Sequence, residues 1–320
     1  MQLPRELVLA TEEEAAAFPF RDLVRAANAV SERYRGERPR TGRLTKAECV
    51  AWAAVRMPAT WAATTTVCRE LQRLDAALQP ESVLDLGAGL GSGIHASCET
   101  FPSVQRATAM EGEPALIAMA GRFAAVSSNA AVRSARWLER DLTIGPPFPE
   151  HDLVLLAWVA GEIDAPARAL VIERAWQAAA RALIVIEPGT PRGFETVRAA
   201  REQLGAAGAQ LVAPCPAAGP CGAPPGEWCH FAARVERSAI HRRLKGGELS
   251  YEDEKFSYLI ATRQAARRAA MRIVRHPRHE PGLVRLTVCT GEEWRTLEIR
   301  KRDRENYPAA RKARWGEEWI

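Results

Sequence analysis

The sequence contains no long apolar run and no recognisable export signal. No stretch approaches the roughly 18 to 20 apolar residues that cross a membrane. The opening segment MQLPRELVLATEEEAAAF lacks a basic start followed by an apolar run. Internal repeats and long low-complexity tracts are also lacking. We therefore expect a cytoplasmic protein with no membrane partner, whose oligomeric state the sequence does not indicate.

Cysteine is present, but never as a Cys-x-x-Cys pair. In an apparently cytosolic chain, the seven cysteines argue for thiols or metal ligands and against disulfides. Cys49, Cys68 and Cys98 stand in helix-like apolar contexts, which favours buried structural thiols.

The other four cysteines form a different pattern. Cys215, Cys221 and Cys229 lie in PCPAAGPCGAPPGEWCHF with spacing Cys-x5-Cys-x7-Cys, and Cys289 follows sixty residues later. Proline and glycine exclude a helix there, whereas three soft sulfur ligands and a distant fourth can close around a metal. Short zinc loops usually supply Cys-x-x-Cys pairs, so an iron–sulfur cluster is favoured over zinc. Zinc and free buried thiols remain alternatives.

The positive charge is concentrated in the C-terminal third. Residues 230–320 hold 21 Lys and Arg against 13 Asp and Glu, whereas residues 1–229 hold 23 against 26. An excess of basic residues is typical of a protein that binds a polyanion, through salt-dependent contacts to phosphate. A solvated arginine-rich surface is the alternative, since no basic run is extreme.

The hydrophobic period changes near residue 79. Residues 1–78 read as a helical domain, with a break at Met57-Pro58. Residues 79–320 read as an α/β domain with a Cys-rich insertion at about 206–252, irregular over about 206–230, and a basic part at 253–320. Five strands are predicted, at Ser82–Leu86, Ala107–Met110, Leu153–Ala157, Leu183–Ile186 and Phe256–Thr262. A helix is predicted at Ala165–Ala182 and the start of another at Tyr251–Lys255. Val284–Cys289 and Arg295–Ile299 are predicted to form a hairpin. Strands alternating with helices predict a mainly parallel sheet, with the Cys loop between strands five and six and Cys289 on strand seven.

A glycine-rich loop follows the first predicted strand. In VLDLGAGLGSG, Asp85, Gly87, Gly89 and Gly91 alternate as D-x-G-x-G-x-G, where glycines let the backbone approach a ligand. A chance glycine-rich turn is the plain alternative. Glu111, 26 residues after Asp85 at the end of the second strand, is placed to bind ribose hydroxyls.

The loop resembles motif I of class I S-adenosylmethionine (SAM)-dependent methyltransferases. The resemblance implies that Asp85 helps to hold the methionine amino group of SAM, that the glycines pass under the cofactor, and that Asp141 lies near the adenine amine. It also implies a Rossmann-like α/β fold.

Two catalytic signatures of methyltransferases are missing. Leu156-Ala157-Trp158-Val159 stands where amino-methylating enzymes carry an Asn/Asp/Ser-Pro-Pro-aromatic motif, and no cysteine nucleophile of the RNA m5C type follows the central strands. Methyl transfer can proceed by positioning alone, so activity is not excluded. No catalytic residue can be named.

Several blocks together resemble one family. They are EPGTPRGF, PCPAAGPC…EWCHF, LKGGELSYEDEKFSYL, RKARWGEEW and the N-terminal RMPATWAATTTV. They are similar to the mitochondrial small-ribosomal-subunit methyltransferase-like family and its bacterial relatives. The resemblance implies a [4Fe–4S] cluster on Cys215, Cys221, Cys229 and Cys289, and association with rRNA of the small ribosomal subunit during its assembly. A non-catalytic assembly factor and a zinc-stapled methyltransferase with another substrate are the competing interpretations.

Overall fold

A computed structural model describes residues 1–35 and 43–320. Four helices precede the first strand: α1 (Arg5–Ala16), α2 (Phe20–Arg35), α3 (Lys46–Val55) and α4 (Met57–Leu74). Thr45 and Glu48 form a capping box at the start of α3, and Pro58 occupies the first turn of α4, where a missing N–H costs nothing. The helical prediction and the break at Met57-Pro58 are confirmed within the described residues; residues 36–42 of the predicted helical domain lie outside them.

The main sheet has eight strands. They are β1 (Ser82–Leu86), β2 (Arg106–Glu111), β3 (Arg136–Glu139), β4 (His151–Ala157), β5 (Ala179–Pro188), β6 (Gln210–Ala213), β7 (Phe231–Glu236) and β8 (Tyr251–Thr262). Their order is β3-β2-β1-β4-β5-β8-β6, with β7 paired to β8. Strands β1 to β5 run parallel, and β8 is antiparallel to β5, β6 and β7. The order 3-2-1-4-5 is that of the Rossmann fold.

Helices cover both faces of this sheet. The later helices are α5 (Ser92–Thr100), α6 (Pro114–Ala125), α7 (Ala130–Arg133), α8 (Ala165–Ala178), α9 (Pro191–Ala206), α10 (Ala239–Lys245) and α11 (Tyr307–Ala310). Alternate residues of β4 point to opposite faces: Leu153 and Leu155 pack in a core shared with α1 to α6, and Val154 and Leu156 in a core shared with α8 and α9. The N-terminal helices and the sheet thus bury one continuous apolar layer. Within the described ranges no helix is long and apolar enough to span a bilayer.

A smaller sheet follows the main one. Its strands are β9 (Met271–Ile273), β10 (Arg278–Glu280), β11 (Leu283–Cys289), β12 (Trp294–Arg300) and β13 (Glu318–Trp319), in the order β10-β11-β9-β13 with β12 on β11. It has its own apolar core, which includes Val284, Val288 and Ile299. The predicted hairpin is confirmed, and Cys289 pairs directly with Trp294 across it.

Several sequence predictions need correction. The segment predicted as a helix start at Tyr251–Lys255 is the first half of β8, because it pairs with β7 along its whole length. The helix predicted over Ala165–Ala182 ends at Ala178, since Ala179 already pairs with His151 in the sheet. The region predicted to be irregular from about 206 contains β6, so the Cys loop spans residues 214–230. It follows the sixth strand, not the fifth, and Cys289 ends the eleventh strand, not the seventh.

Candidate cofactor and metal sites

A cavity of about 680 Å³ opens at the carboxyl ends of β1 to β4. This edge is where ligands bind in open α/β sheets, and the volume is within the usual range for small-molecule sites. Five of the six residues proposed for the cofactor line it: Asp85, Gly87, Gly89, Glu111 and Asp141. Gly91 does not line it and is instead the N-cap of α5.

The loop after β1 requires its glycines because other groups approach closely. A Cβ atom on Gly87 would lie 2.7 Å from the Val159 side chain. A Cβ atom on Gly93, in the first turn of α5, would lie 2.5 Å from Asp85 Oδ2. Carbon atoms do not approach oxygen this closely without displacement, so these glycines keep the floor of the cavity and the Asp85 carboxyl in place.

Asp85 is a buried carboxyl in an unusual environment. Burial, and then the nearby negative charge of Glu111, raise its pKa to about 7, against the opposing effect of the backbone N–H groups of Ile94 and Gly93. Its Oδ2 atom is buried and has no hydrogen-bond partner among the described residues. A buried acceptor that lacks a partner is expensive in free energy. A ligand donor, above all a cationic one, would supply the missing interaction.

Glu111 bridges the ends of β1 and β2. Its Oε2 accepts from Gly89 N at 2.7 Å, and its Oε1 accepts from Gly112 N at 2.9 Å and Glu113 N at 3.0 Å. Burial nevertheless raises the pKa of this carboxyl above its ordinary value, although the three N–H groups oppose the shift. The carboxyl therefore holds the glycine loop against β2 while it lines the cavity.

Asp141 stands at the exposed rim. Its Oδ1 accepts from Thr143 Oγ1 at 2.7 Å and from Thr143 N at 2.8 Å, and these bonds lower the pKa of the carboxyl. It thus remains an acceptor at neutral pH.

Residues from the N-terminal helices form the opposite wall of the cavity. Trp52 of α3 and Thr60 of α4 line it, and Thr60 Oγ1 donates to Ser92 Oγ of α5 at 2.9 Å. The N–H of Leu44, before α3, donates to Glu113 Oε2 at 3.1 Å. The sequence analysis missed these residues, because they belong to elements far from the glycine loop and carry no motif of their own.

Trp158 was also missed as a site residue. It directly follows β4, lines the cavity and has a φ of 57°, a left-handed value rare for a bulky side chain. Its N–H donates to Ile186 O at 2.7 Å, which ties the residue after β4 to the parallel strand β5. Its indole Nε1 is buried and has no hydrogen-bond partner among the residues that the structure describes. Backbone strain of this kind is concentrated at functional sites. The signal was available in the sequence, since Trp158 occupies the place of the missing catalytic motif.

The four cysteines of the second candidate site come together. Cys215, Cys221 and Cys229 of the Cys loop and Cys289 of β11 all line one small cavity of about 40 Å³. All seven cysteines of the chain are free thiols, and the three outside this group are buried, as predicted. Burial raises the pKa of both Cys68 and Cys98 to about 12.

Two arginines lie beside the four thiols. Arg201 Nε of α9 donates to Cys215 Sγ at 3.3 Å, and the backbone N–H of Gly291 donates to Cys289 Sγ at 3.4 Å. Arg272 of β9 is only 2 % exposed, lines the same cavity and donates to Pro214 O at 3.2 Å. Burial raises the pKa of the Cys215 and Cys289 thiols, the latter to about 11. Neutral thiols are thus favoured here, whereas N–H donors and cations are the environment that metal-bound thiolates need.

A metal site is nevertheless not shown. Four cysteine ligands are the donor set of a [4Fe–4S] cluster, and their common cavity agrees with that set. Across the described part of the chain, no group of three or more His, Cys, Asp or Glu side chains has an arrangement that could hold a metal ion. The structure brings the four thiols to one place.

Close backbone contacts hold the Cys loop against its surroundings. A Cβ atom on Gly222 would lie 2.5 Å from the carbonyl of Glu292, and one on Gly291, whose φ is 100°, would lie 2.5 Å from Ala217 Cβ. Trp228 Nε1 donates to Gly189 O at 3.0 Å, and Ser257 Oγ donates to Cys229 O at 2.7 Å. The loop is therefore fixed to the β11–β12 turn, to β8 and to the end of β5.

The strand order, with a glycine loop and two acidic residues at the carboxyl edge of the parallel strands, defines an α/β protein with a Rossmann-like fold. The chain belongs to the family described as mitochondrial small ribosomal subunit Rsm22, which it matches over residues 46–320. This confirms the family resemblance seen in the sequence.

One curated relative and two solved structures illustrate the similarity. The human mitochondrial ribosome assembly protein METTL17 is 23% identical over 295 residues, which are 85% of this chain and 62% of that protein. The chain thus spans less than two thirds of that relative. Magnesium protoporphyrin IX methyltransferase from Synechocystis, with bound S-adenosylhomocysteine, is 14% identical over 74% of this chain and 93% of its own, with a TM-score of 0.43. The N-methyltransferase NodS from Bradyrhizobium japonicum is 14% identical over 62% and 93%, with a TM-score of 0.40. These structures are too distant to transfer a ligand or a substrate.

Proposed function

We propose that this chain is a SAM-binding methyltransferase-like protein that carries a [4Fe–4S] cluster and engages small-subunit rRNA in ribosome assembly and translation. The observation that carries the proposal is the 680 Å³ cavity into which the glycine loop places the buried Asp85. Membership of the Rsm22 family gives the ribosomal context.

In the SAM site each acidic residue has a separate task. Asp85 would accept from the amino group of SAM, Glu111 would bind the ribose hydroxyls, and Asp141 would face the adenine amine. The backbone at Gly87 and Gly89 leaves room for the cofactor, and Gly91 stays a prediction for this set. SAM supplies an electrophilic methyl group, and the residues of the chain hold it and exclude water around it.

SAM binding is tested by isothermal titration calorimetry with SAM and S-adenosylhomocysteine. We expect binding of one molecule per chain. An absence of heat with both ligands, in protein whose circular dichroism shows it to be folded, would overturn this part of the proposal.

The four cysteines are proposed as the ligands of the cluster, in preference to zinc. Their shared cavity and the N–H donors to Cys215 and Cys289 support a bound group, and the absence of Cys-x-x-Cys pairs favours a cluster over zinc. Bound there, the cluster would crosslink a Pro/Gly-rich loop that has few apolar side chains to order it. Anaerobic purification should give absorption near 400 nm and about four irons per chain, whereas zinc without iron would favour the alternative.

Methyl transfer to rRNA is the reaction proposed for the SAM site. The experiment is to isolate rRNA from a deletion strain and measure methyl incorporation from labelled SAM by the purified protein. If that rRNA is already fully modified, the protein is a platform that uses the fold without catalysis. The end of β4 favours this second candidate, since Leu156, Ala157, Trp158 and Val159 offer no acid or base.

The division into a helical part over 1–78, an α/β part over 79–320 and a basic part over 253–320 stays a prediction. So does the cytoplasmic location, because the human relative is described as mitochondrial.

A further inference from the structure

A second concave surface lies beside the Cys loop, away from the SAM cavity. It is a groove of about 540 Å³ between the β11–β12 hairpin and residues 275–278. Glu227 and Pro224 of the Cys loop line one side. The side chains that give it chemical character are Arg275, His276, Arg278, Trp294 and Arg295.

The groove carries uncompensated positive charge. Its single carboxylate, Glu227, forms an ion pair with Arg275. Arg278 and Arg295 are exposed, and neither has a carboxylate partner within the ranges that the structure describes. Two other arginines of the small sheet, Arg285 and Arg300, do pair with acids. Thus the Arg278 guanidinium remains available for an anion. That of Arg295 donates to the weakly accepting thioether sulfur of Met271 at 3.7 Å and can exchange this contact for an anion.

An aromatic ring is fixed among these cations. Trp294 is half-buried, and the Arg275 guanidinium lies 4.6 Å from its ring centroid. Arg275 is itself held by Val274 O at 2.8 Å and Trp228 O at 3.3 Å. Trp294 begins β12 directly opposite Cys289. The ring and the first cation are therefore prepositioned by the strand ladder and the Cys loop, which lowers the entropic cost of binding.

We propose that this groove binds the sugar–phosphate backbone of RNA, with Arg278 and Arg295 on phosphates and Trp294 against a base. The inference rests on the proposed function and assigns its RNA contact to particular residues. Guanidinium groups and the hydroxyls of Thr287 and Thr296 in the groove are the usual donors to phosphate, and an aromatic ring gives the sequence-tolerant stacking seen with single strands. An acidic peptide would pair with the arginines of the groove but would make no stacking contact with the Trp294 ring.

The test uses the full chain in its iron-loaded form and fluorescein-labelled oligouridylate of about twenty nucleotides, followed by fluorescence anisotropy across a salt series. Arg278→Glu and Arg295→Glu are each expected to weaken binding at least tenfold. Arg295→Gln should reduce the slope of log K against log salt by about 0.7, as expected for one lost phosphate contact on a single strand. The matched control is Arg136→Glu on β3, another exposed arginine, which has no carboxylate partner among the described residues and lies at the far edge of the main sheet. The Kd of this variant should change less than about twofold. Iron content and thermal midpoint are measured for each variant, so that loss of the Cys loop is not mistaken for loss of a contact.

Each outcome of the anisotropy experiment either supports or contradicts the RNA-binding groove. If wild type binds the RNA and the groove variants bind equally well, the groove assignment is wrong while RNA engagement stands. If the iron-loaded wild type binds no RNA at low salt, both the groove and the proposed rRNA engagement are wrong. If polyglutamate of equal length displaces the RNA at equal concentration and loses affinity in the same variants, the groove is a site for acidic protein segments and the proposal is overturned.

Discussion

At the scale of single residues, Asp85 links the chemistry of the SAM cavity to pH. Its carboxyl is almost fully buried, and burial together with Glu111 raises its pKa to about 7. In the ligand-free protein roughly half of these carboxyls are then neutral at pH 7. A cationic amino group would favour the ionised form, so binding should be coupled to release of a proton.

We therefore expect SAM to bind about fivefold more tightly at pH 7 than at pH 6, because the ionised fraction of Asp85 rises about fivefold across that interval. The amino group of SAM stays largely protonated there. Calorimetry in two buffers of different ionisation enthalpy measures both the affinity and the proton release. Asp85→Asn should bind more weakly and show neither effect; a pH-dependent Asn variant would assign the proton to another group.

The Asp85 carboxyl also makes the free energy of unfolding depend on pH. Because folding raises its pKa from 3.8 to about 7, the folded state binds more protons than the unfolded state between these values. The free energy of unfolding of the ligand-free protein therefore falls as pH rises from about 4 to 7, by at most about 4 kcal/mol from this group. Urea titrations at pH 5 and pH 7 should show this fall in wild type and a smaller one in Asp85→Asn.

Gly93 offers a sharper test of the cavity floor. Gly93→Ala places a Cβ atom at 2.5 Å from Asp85 Oδ2, and we expect SAM affinity to fall at least tenfold as the carboxyl is displaced. Gly121→Ala is the matched control, since Gly121 lies in helix α6 with nothing within 4 Å of the added atom. It should keep SAM affinity and gain about 0.5–1 kcal/mol in stability from helix propensity. Equal affinities in the two variants, measured by calorimetry, would refute this role for Gly93.

At the scale of elements, the Cys loop and the β11–β12 turn depend on each other. Gly291→Ala brings a Cβ atom to 2.5 Å from Ala217 Cβ at a φ of 100°. Gly226→Ala is the control in the same loop, with a φ of 80° and nothing within 4 Å. Both variants bear the strain of a left-handed alanine, about 1–2 kcal/mol. Only the first should separate Cys289 from the other three cysteines, so iron per chain should fall in Gly291→Ala and stay near wild type in Gly226→Ala.

Elements were predictable from sequence where one residue pattern decides them. The buried strands β1, β2, β4 and β5 are short apolar runs, and all four were predicted. Strand β3 (RWLE) was missed, because an edge strand with exposed or half-buried side chains has no apolar run. The polar stretch Tyr251–Lys255 became a strand through cross-strand pairing with β7, including the ion pair of Arg234 with Asp253 at 2.8 Å. Sequence alone does not reveal such a partner.

The residues of the candidate sites also differ in whether the sequence indicates them. Asp85, Glu111 and the four cysteines belong to local motifs, so the sequence indicated them. Trp52, Arg201 and Arg272 reach the sites through tertiary packing alone. Each lies on an element whose own pattern shows only a helix or a strand, so nothing near it in sequence points to a site.

At the scale of the whole molecule, Arg272 joins three distant parts of the chain. It donates to Glu70 Oε1 of α4 at 2.7 Å, to Pro214 O of the Cys loop at 3.2 Å and to Gly316 O of the C-terminal segment at 2.9 Å. The ion pair is largely buried, with side-chain exposures of 2% and 14%. Leaving one charge of such a pair without its partner is strongly destabilising.

Glu70→Gln should therefore lower the free energy of unfolding by about 3 kcal/mol, as measured by urea titration. Glu195→Gln, which breaks the exposed pair with Arg198, is the control and should cost less than 1 kcal/mol. The double variant Glu70→Gln/Arg272→Met should be less destabilised than the sum of its single variants. Strict additivity would show that the two side chains do not interact energetically.

The distance along the chain between these partners matters for how the protein is made. Glu70 meets Arg272 across 202 positions, and Arg73 meets Glu318 across 245. A polypeptide growing on the ribosome therefore emerges with α4 complete long before Arg272 and Glu318, which pair with its charged side chains, have been translated. During that interval the nascent protein exposes apolar surface to the cell, which is the condition under which chaperones engage newly made chains.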